Sequence, residues 1–262
     1  MSTLHLVTAL LAAAVAGSPA TALAQTAPST GARAPVPTTS PSQTSGTIPA
    51  ARDAGDTFLL SAGGQIDTAN AAYVGIQAAL PGSVIGRGFA LAGSGFAGNY
   101  SYLSGGLGVV RGSFAGAELD ALYELSSQRT WNTLGVGVRD VNTQLVPFDT
   151  TNRRRGDVVE FAATTYGGGI RGPYRGDYFA SYGTRLEDYT ARGDVTRALG
   201  PTLRLGLALS FEGDPTYSLH EIGPFVGIAM GRHSEIQLSA GASQQSGRGT
   251  SGYLRASVYR SL

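Results

Sequence analysis

Residues 203–211 read LRLGLALSF, with Leu203, Leu205, Leu207, Leu209 and Phe211 alternating with Arg204, Gly206, Ala208 and Ser210. A period of two is a strand signal, because successive side chains of a strand point to opposite faces. It leaves open what the apolar face meets. That face could pack on a protein core, as in a soluble sandwich. It could also meet lipid, with the small polar face turned into a barrel lumen. The same alternation recurs from Thr57 onward in segments of about ten residues, each bounded by Gly, Pro, Ser or Asn.

About twelve such segments can be numbered, an even count as in most bacterial barrels. They are expected near 57–66, 72–80, 89–102, 113–125, 131–141, 157–170, 177–186, 189–198, 203–211, 219–230, 236–242 and 253–259. In the second, Val74, Ile76, Ala78 and Leu80 oppose Tyr73, Gly75 and Gln77; in the fourth, Ala115, Ala117, Leu119, Ala121, Tyr123 and Leu125 oppose Glu118, Asp120 and Glu124. A soluble sandwich would place large apolar residues inward and Lys and Glu outward. Here the non-apolar face is small and mixed. The even-numbered connections look tight, the odd-numbered ones more variable, and the longest is expected over 142–156, including PFDTTNRRRG, with the EGDPTY stretch as another loop. Short turns on one rim and longer loops on the other, with both termini periplasmic, is the outer-membrane arrangement. The expected fold is all-β: a closed antiparallel up-and-down transmembrane β-barrel of about twelve strands.

The N-terminal end is of a different kind. An apolar run over 6–16 followed by Ala22-Leu23-Ala24 predicts a signal peptide over 1–24, cleaved before Gln25. The run is shorter than the ~20 residues of a helical span. Residues 25–55 are Pro, Ser, Thr, Ala and Gly with almost no large apolar side chain, and are expected to form a disordered leader. The barrel domain is then 56–262. The 38 glycines and 12 tyrosines are the unusual feature, and the chain has no cysteine, so disulfide and thiolate metal chemistry are excluded. A formal net charge of +1 gives no preference for nucleic acid.

If the apolar rows face lipid, the opposite rows line the lumen. The candidate lumen or binding residues are Glu118, Asp120, Arg139, Glu160, Tyr166, Arg192, Asp194, Arg204, Glu221 and Arg255, with Glu124 and Glu212 on the same rows. One reading is a polar pore for a small solute. The other is that these charges pair across the lumen and fill it, since buried charges need partners. Tyr100, Tyr102, Tyr166, Tyr174, Tyr178 and Tyr182 are read either as an interfacial aromatic belt or as rings that stack on sugars.

Catalysis has little support. Beyond the signal segment only His220 and His233 remain, and Ser218 and Asp214 near His220 do not make a triad by sequence proximity alone. His220 is expected at the rim. No metal-ligand spacing or cofactor motif is present, so no catalytic residue, metal or cofactor is assigned.

The runs AGGQID, YVGIQAALPGS, GAELDALYEL, PFDTTNRRRG, YFASYGTR and EGDPTYSLHEIGPFVGI resemble the BcsS family of bacterial cellulose-biosynthesis proteins, from Thr57 to the C-terminus. The resemblance implies an outer-membrane protein associated with a cellulose synthase secretion system. Its implied partners are outer-membrane lipid and cellulose or the secretion components, and it carries over no catalytic residues. The expected role is to assist export or anchoring of the glucan. The alternatives are a general porin for small polar solutes and a lipid-modifying barrel enzyme.

Overall fold

A computed structural model describes residues 55–67, 69–246 and 248–262. The expected signal peptide and nearly all of the expected leader lie outside the described residues. The rest is strand: β1 Phe58–Ile66, β2 Ala69–Ala79, β3 Gly88–Ser104, β4 Gly108–Ser126, β5 Thr130–Val146, β6 Gly156–Arg171, β7 Tyr174–Gly183, β8 Tyr189–Ala198, β9 Leu203–Asp214, β10 Tyr217–Ala229, β11 Ser234–Gln245 and β12 Gly249–Ser261. Each strand pairs antiparallel with its sequence neighbours, and β1 closes on β12 through pairs such as Leu59 with Ser261. Closure leaves no free sheet edge around the wall, which a strand facing lipid requires.

The leucine row is on the outside. Leu205, Leu207, Leu209 and Phe211 are 40–47 % exposed, whereas Ser210 and Glu212 on the opposite face are 2 % and 0 % exposed. The same sorting holds around the wall: Val74, Ile76, Leu119, Leu134, Val136, Val138, Val195, Ile222 and Leu254 all point outward. Soluble monomers rarely expose contiguous apolar patches beyond a few hundred Å². A band of this kind on every strand is a lipid-facing surface.

The asymmetry between the two ends lies in the strands more than in the loops, and this corrects the sequence reading. β3 to β6 are 17, 19, 17 and 16 residues long, against 10 each for β7 and β8. A barrel strand needs ~9–11 residues to span the membrane. The surplus falls at one end. β2 stops pairing with β3 at Tyr100, and β6 meets β7 only from Ala162, so residues 101–104 and 156–161 run past their shorter neighbours. The expected 142–156 loop is therefore strand up to Val146, and its irregular part is 147–155. EGDPTY is no loop: β9 runs to Asp214 and turns into β10 through Pro215 and Thr216 alone. The even-numbered connection 80–87 is nearly as long as 147–155, so even turns are not uniformly tight.

Candidate functional site

All ten lumen candidates lie on inward-facing rows. Glu118, Asp120, Arg139, Glu160, Tyr166 and Glu221 are buried, and Arg192, Asp194, Arg204 and Arg255 are nearly so. Most are brought together in ion pairs. The hub is Arg139 on β5. Its Nε donates to Glu118 Oε2 at 2.9 Å on β4, and its Nη1 lies 3.3 Å from Glu160 Oε1 on β6 and 3.2 Å from Asp188 Oδ2. On the far wall, Arg255 on β12 reaches Glu221 at 2.7 Å, Glu212 at 3.5 Å and the amide oxygen of Gln65 at 2.9 Å. Arg192 pairs with Glu212, and Arg204 pairs with Glu235 while lying 3.9 Å from Asp177. Arg175 holds Asp177 at 2.8 Å. Asp194 stands opposite Asp177 in the β7–β8 register. Asp120 packs against the neighbouring strand so closely that a Cβ at residue 137 would come 2.2 Å from its Oδ1 and 2.4 Å from the Leu119 carbonyl, hence Gly137.

Sequence reading missed Arg154, Arg175, Asp177, Asp188 and Glu235 as lattice members. Arg175 and Glu235 were read as turn residues because their strands start earlier than the alternation suggests. Asp188 sits in the β7–β8 connection, and only the fold brings it to Arg139.

The rest of the lumen is filled by a second material. Tyr73, Phe96, Tyr100, Tyr102, Val110, Phe114, Val141 and Leu145 form one buried cluster inside β2 to β5. Their rings lie over glycines of the adjoining strands. A Cβ on Gly98 would come 2.4 Å from Phe114 Cζ, one on Gly112 2.3 Å from Tyr100 Cζ, one on Gly116 2.3 Å from Phe96 Cζ, and one on Gly63 2.7 Å from Tyr73 Cε1. Four glycines are thus explained by close approach of a ring to the wall. The tyrosines named earlier divide: Tyr100, Tyr102 and Tyr166 are inside the barrel, while Tyr174, Tyr178 and Tyr182 are on its outer surface. Tyr166 donates to Gln77 Oε1 at 3.0 Å, and the hydroxyls of Tyr73 and Tyr259 meet at 3.0 Å. A cavity of about 70 Å³ remains between Tyr73, Tyr166, Arg192, Asp194, Arg255 and Tyr259, room for a few waters.

Chain segments cover both ends. At the end carrying the termini, Ile85 from the 80–87 turn packs with Leu59, Tyr166, Phe179 and Tyr259, and Gly86 N donates to Glu124 Oε2 at 2.7 Å. At the other end the 147–155 segment folds over the mouth. Tyr102 Oη donates to Asp149 Oδ2 and Asn152 Nδ2 donates to Tyr102 Oη, each at 2.9 Å. Arg154 reaches across to Asp214 at 3.2 Å and Asp188 at 3.5 Å, and Arg153 to Glu187 at 3.5 Å. Hydrogen bonds from Thr151 hold the Asp149 carboxyl below the usual carboxylate range.

His220 lies three residues into β10 from the β9–β10 turn. It is exposed on the outer face of β10, edge-on to Phe211 at 5.4 Å between ring centroids, while Asp214 is engaged with Arg154 at the mouth. The two do not share a site. Among the described residues no cluster of His, Asp or Glu has the makings of a metal site.

No curated protein matches the chain in sequence. Among solved structures it is similar to the KdgM porin, at 11 % identity with a TM-score of 0.45, covering 78 % of this chain and 99 % of that one. It is also similar to the COG4313 outer membrane channel from Pseudomonas putida F1, at 12 % identity with a TM-score of 0.49, covering 80 % and 97 %. LpxR from Salmonella typhimurium aligns at 9 % identity with a TM-score of 0.42, covering 79 % and 100 %. The barrel stands on its own strand pairing rather than on these likenesses. The sequence model described as cellulose biosynthesis protein BcsS matches residues 59–262, every strand but the first residue of β1, and the chain, an outer-membrane β-barrel, belongs to that family.

Proposed function

We propose that this barrel serves cellulose production by holding or guiding the glucan at the outer surface, and that the glucan does not pass through its lumen. The observation that carries this reading is the Arg139 hub. A guanidinium that is 1 % exposed, bound to three carboxylates from the two adjoining strands and a connection, cannot move aside without stranding buried charge. The aromatic layer beside it and the segments over both mouths support the same conclusion. In this reading the barrel does no chemistry itself, and its termini lie on the periplasmic side, with β3 to β6 and 147–155 projecting outward.

Two measurements test it. Deleting the gene should leave glucan synthesis intact while cellulose is shed from cells into the medium; unchanged output and attachment would sink the anchoring role. The purified protein in planar bilayers should give no conductance steps. Stable steps passing small solutes would favour the porin alternative instead.

A further inference from the structure

Under the 147–155 segment lies a cavity of about 300 Å³ that the mouth residues enclose without filling. Four connections from the same end of the barrel build it: Gly105 and Gly106 after β3, Asp149 to Arg154 after β5, Leu186 after β7, and Pro215 and Thr216 after β9. That volume is at the lower end of what small-ligand sites occupy. It is more than four times the cavity between Tyr73, Tyr166, Arg192, Asp194, Arg255 and Tyr259.

Its chemistry narrows the ligand. Two carboxylates, Asp149 and Asp214, and two guanidiniums, Arg153 and Arg154, are among its lining residues, so the formal charges cancel. Each is already engaged: Arg154 with Asp214, Arg153 with Glu187, Asp149 with Thr151 and Tyr102. A free ion would find little uncompensated field there. What the lining does offer is a dense mixture of donors and acceptors. A carboxylate oxygen has two lone pairs and a guanidinium five N–H groups, so these groups retain capacity after their mutual bonds. Arg153 is half exposed. The two glycines present bare backbone. Tyr102 lines the cavity too, but its ring is packed on Tyr100 at 26° and is only 3 % exposed. Mixed planar hydrogen-bonding groups whose formal charges cancel suit a neutral polyhydroxylated ligand. Tyr102 belongs to the buried cluster with Tyr100, Phe114 and Phe96 that fills this part of the lumen, so a ligand entering from outside would be held and not passed on.

We propose that this cavity binds a short stretch of neutral glycan from the outer side of the membrane. The choice of a β-linked glucan within that class rests on the role proposed above.

The test uses the full barrel folded in detergent, titrated calorimetrically with cellohexaose and, in parallel, with α-linked maltohexaose. Gly106→Leu adds a bulky side chain at a residue that lines the cavity, where a Cβ meets nothing within 4 Å and so does not disturb the wall. Asn152→Ala removes a donor from the lid and serves as a second variant. The expected result is saturable binding of cellohexaose, weakened at least tenfold by Gly106→Leu and less by Asn152→Ala. Both variants should keep the wild-type shift between boiled and unboiled samples on a gel, which reports a folded barrel. No binding by the folded wild type, or binding untouched by Gly106→Leu, would overturn the site. Equal affinity for maltohexaose would overturn the β-glucan assignment. Failure to bind cellohexaose while gene deletion still sheds cellulose would remove the site and leave the anchoring role standing. Binding without any cellulose phenotype would do the reverse.

Discussion

The lumen is filled in two ways that differ in their physics. Along β2 to β5 it is packed with rings set close against glycines: Phe114 on Gly98, Tyr100 on Gly112, Phe96 on Gly116. Along β7 to β12, and around Arg139, it is packed with ion pairs. The aromatic sector gains from burial and dispersion and demands shape. The charged sector gains little net stability from each pair, because desolvation offsets attraction. It punishes the loss of one partner, since the other stays buried. The aromatic sector should therefore respond to added volume and the charged sector to removed charge.

The sharpest way to separate them is Arg139→Ala. It strands Glu118, Glu160 and Asp188, and should cost about 3–5 kcal/mol. The readout is the temperature or urea concentration at which the gel-shifted folded form is lost. A cost below that of Gly116→Ala in the aromatic sector would break the comparison.

The second substitution contrasts the two faces of a single strand. Arg204 on β9 is satisfied inside by Glu235 and by Thr196, whose Oγ1 lies 3.0 Å from its Nη1. Leu207→Arg puts the same side chain on the lipid face and should cost about 2–4 kcal/mol at mid-membrane depth. Insertion into lipid vesicles measures it, and a neutral outcome would mean that the leucine row does not face lipid.

Third comes Gly116→Ala in the aromatic sector. Its methyl would meet Phe96 Cζ and the Asp140 carbonyl oxygen, each at 2.3 Å. The ring and backbone must move, at about 1–3 kcal/mol. The same exchange at Gly95, where a Cβ meets nothing within 4 Å, should be tolerated, and equal costs at the two glycines would show that ring packing is not what the first protects.

The smallest effect belongs to the lid. Asp149→Asn weakens the bonds to Thr151 and Tyr102 and should cost about 0.5–1.5 kcal/mol. Because the Asp149 pKa is lowered in the folded protein, its contribution is present above the ordinary carboxylate value of about 4 and is lost as pH falls through the lowered one. Protease cleavage within 147–155 should therefore stay slow at neutral pH and rise only in strong acid. For Asp149→Asn it should be faster at neutral pH.

Much of this was legible beforehand. Alternation on β2, β4, β5 and β9 assigned Val74, Leu119, Val136 and Leu207 to one face and Gln77, Glu118, Arg139 and Arg204 to the other. Side-chain period alone suffices for that. Strand ends were harder. Beyond the membrane the outer face turns polar, as at Asn99, Asp140 and Asn142, so alternation fades while pairing continues. That is why Arg175 and Glu235 were read as turn residues and 142–146 as loop. Tyr100 and Tyr178 could not be told apart by type, since a tyrosine suits both a lumen packed over glycine and a membrane interface.

By itself, then, the sequence pointed to the class of fold, to about twelve strands and to which residues of each share one face, because alternation repeated between turn signals reports these. Which charges meet was decided only by the tertiary structure. Arg139 finds Asp188, 49 residues away, because the β7–β8 connection folds back to β5, and Arg255 finds Gln65, 190 residues away, because closure of β1 on β12 makes them register partners. The 147–155 segment is likewise held by Arg154 reaching Asp188 and Asp214, contributed by the β7–β8 connection and the end of β9. Such meetings join residues far apart in the chain, and no local pattern can encode them.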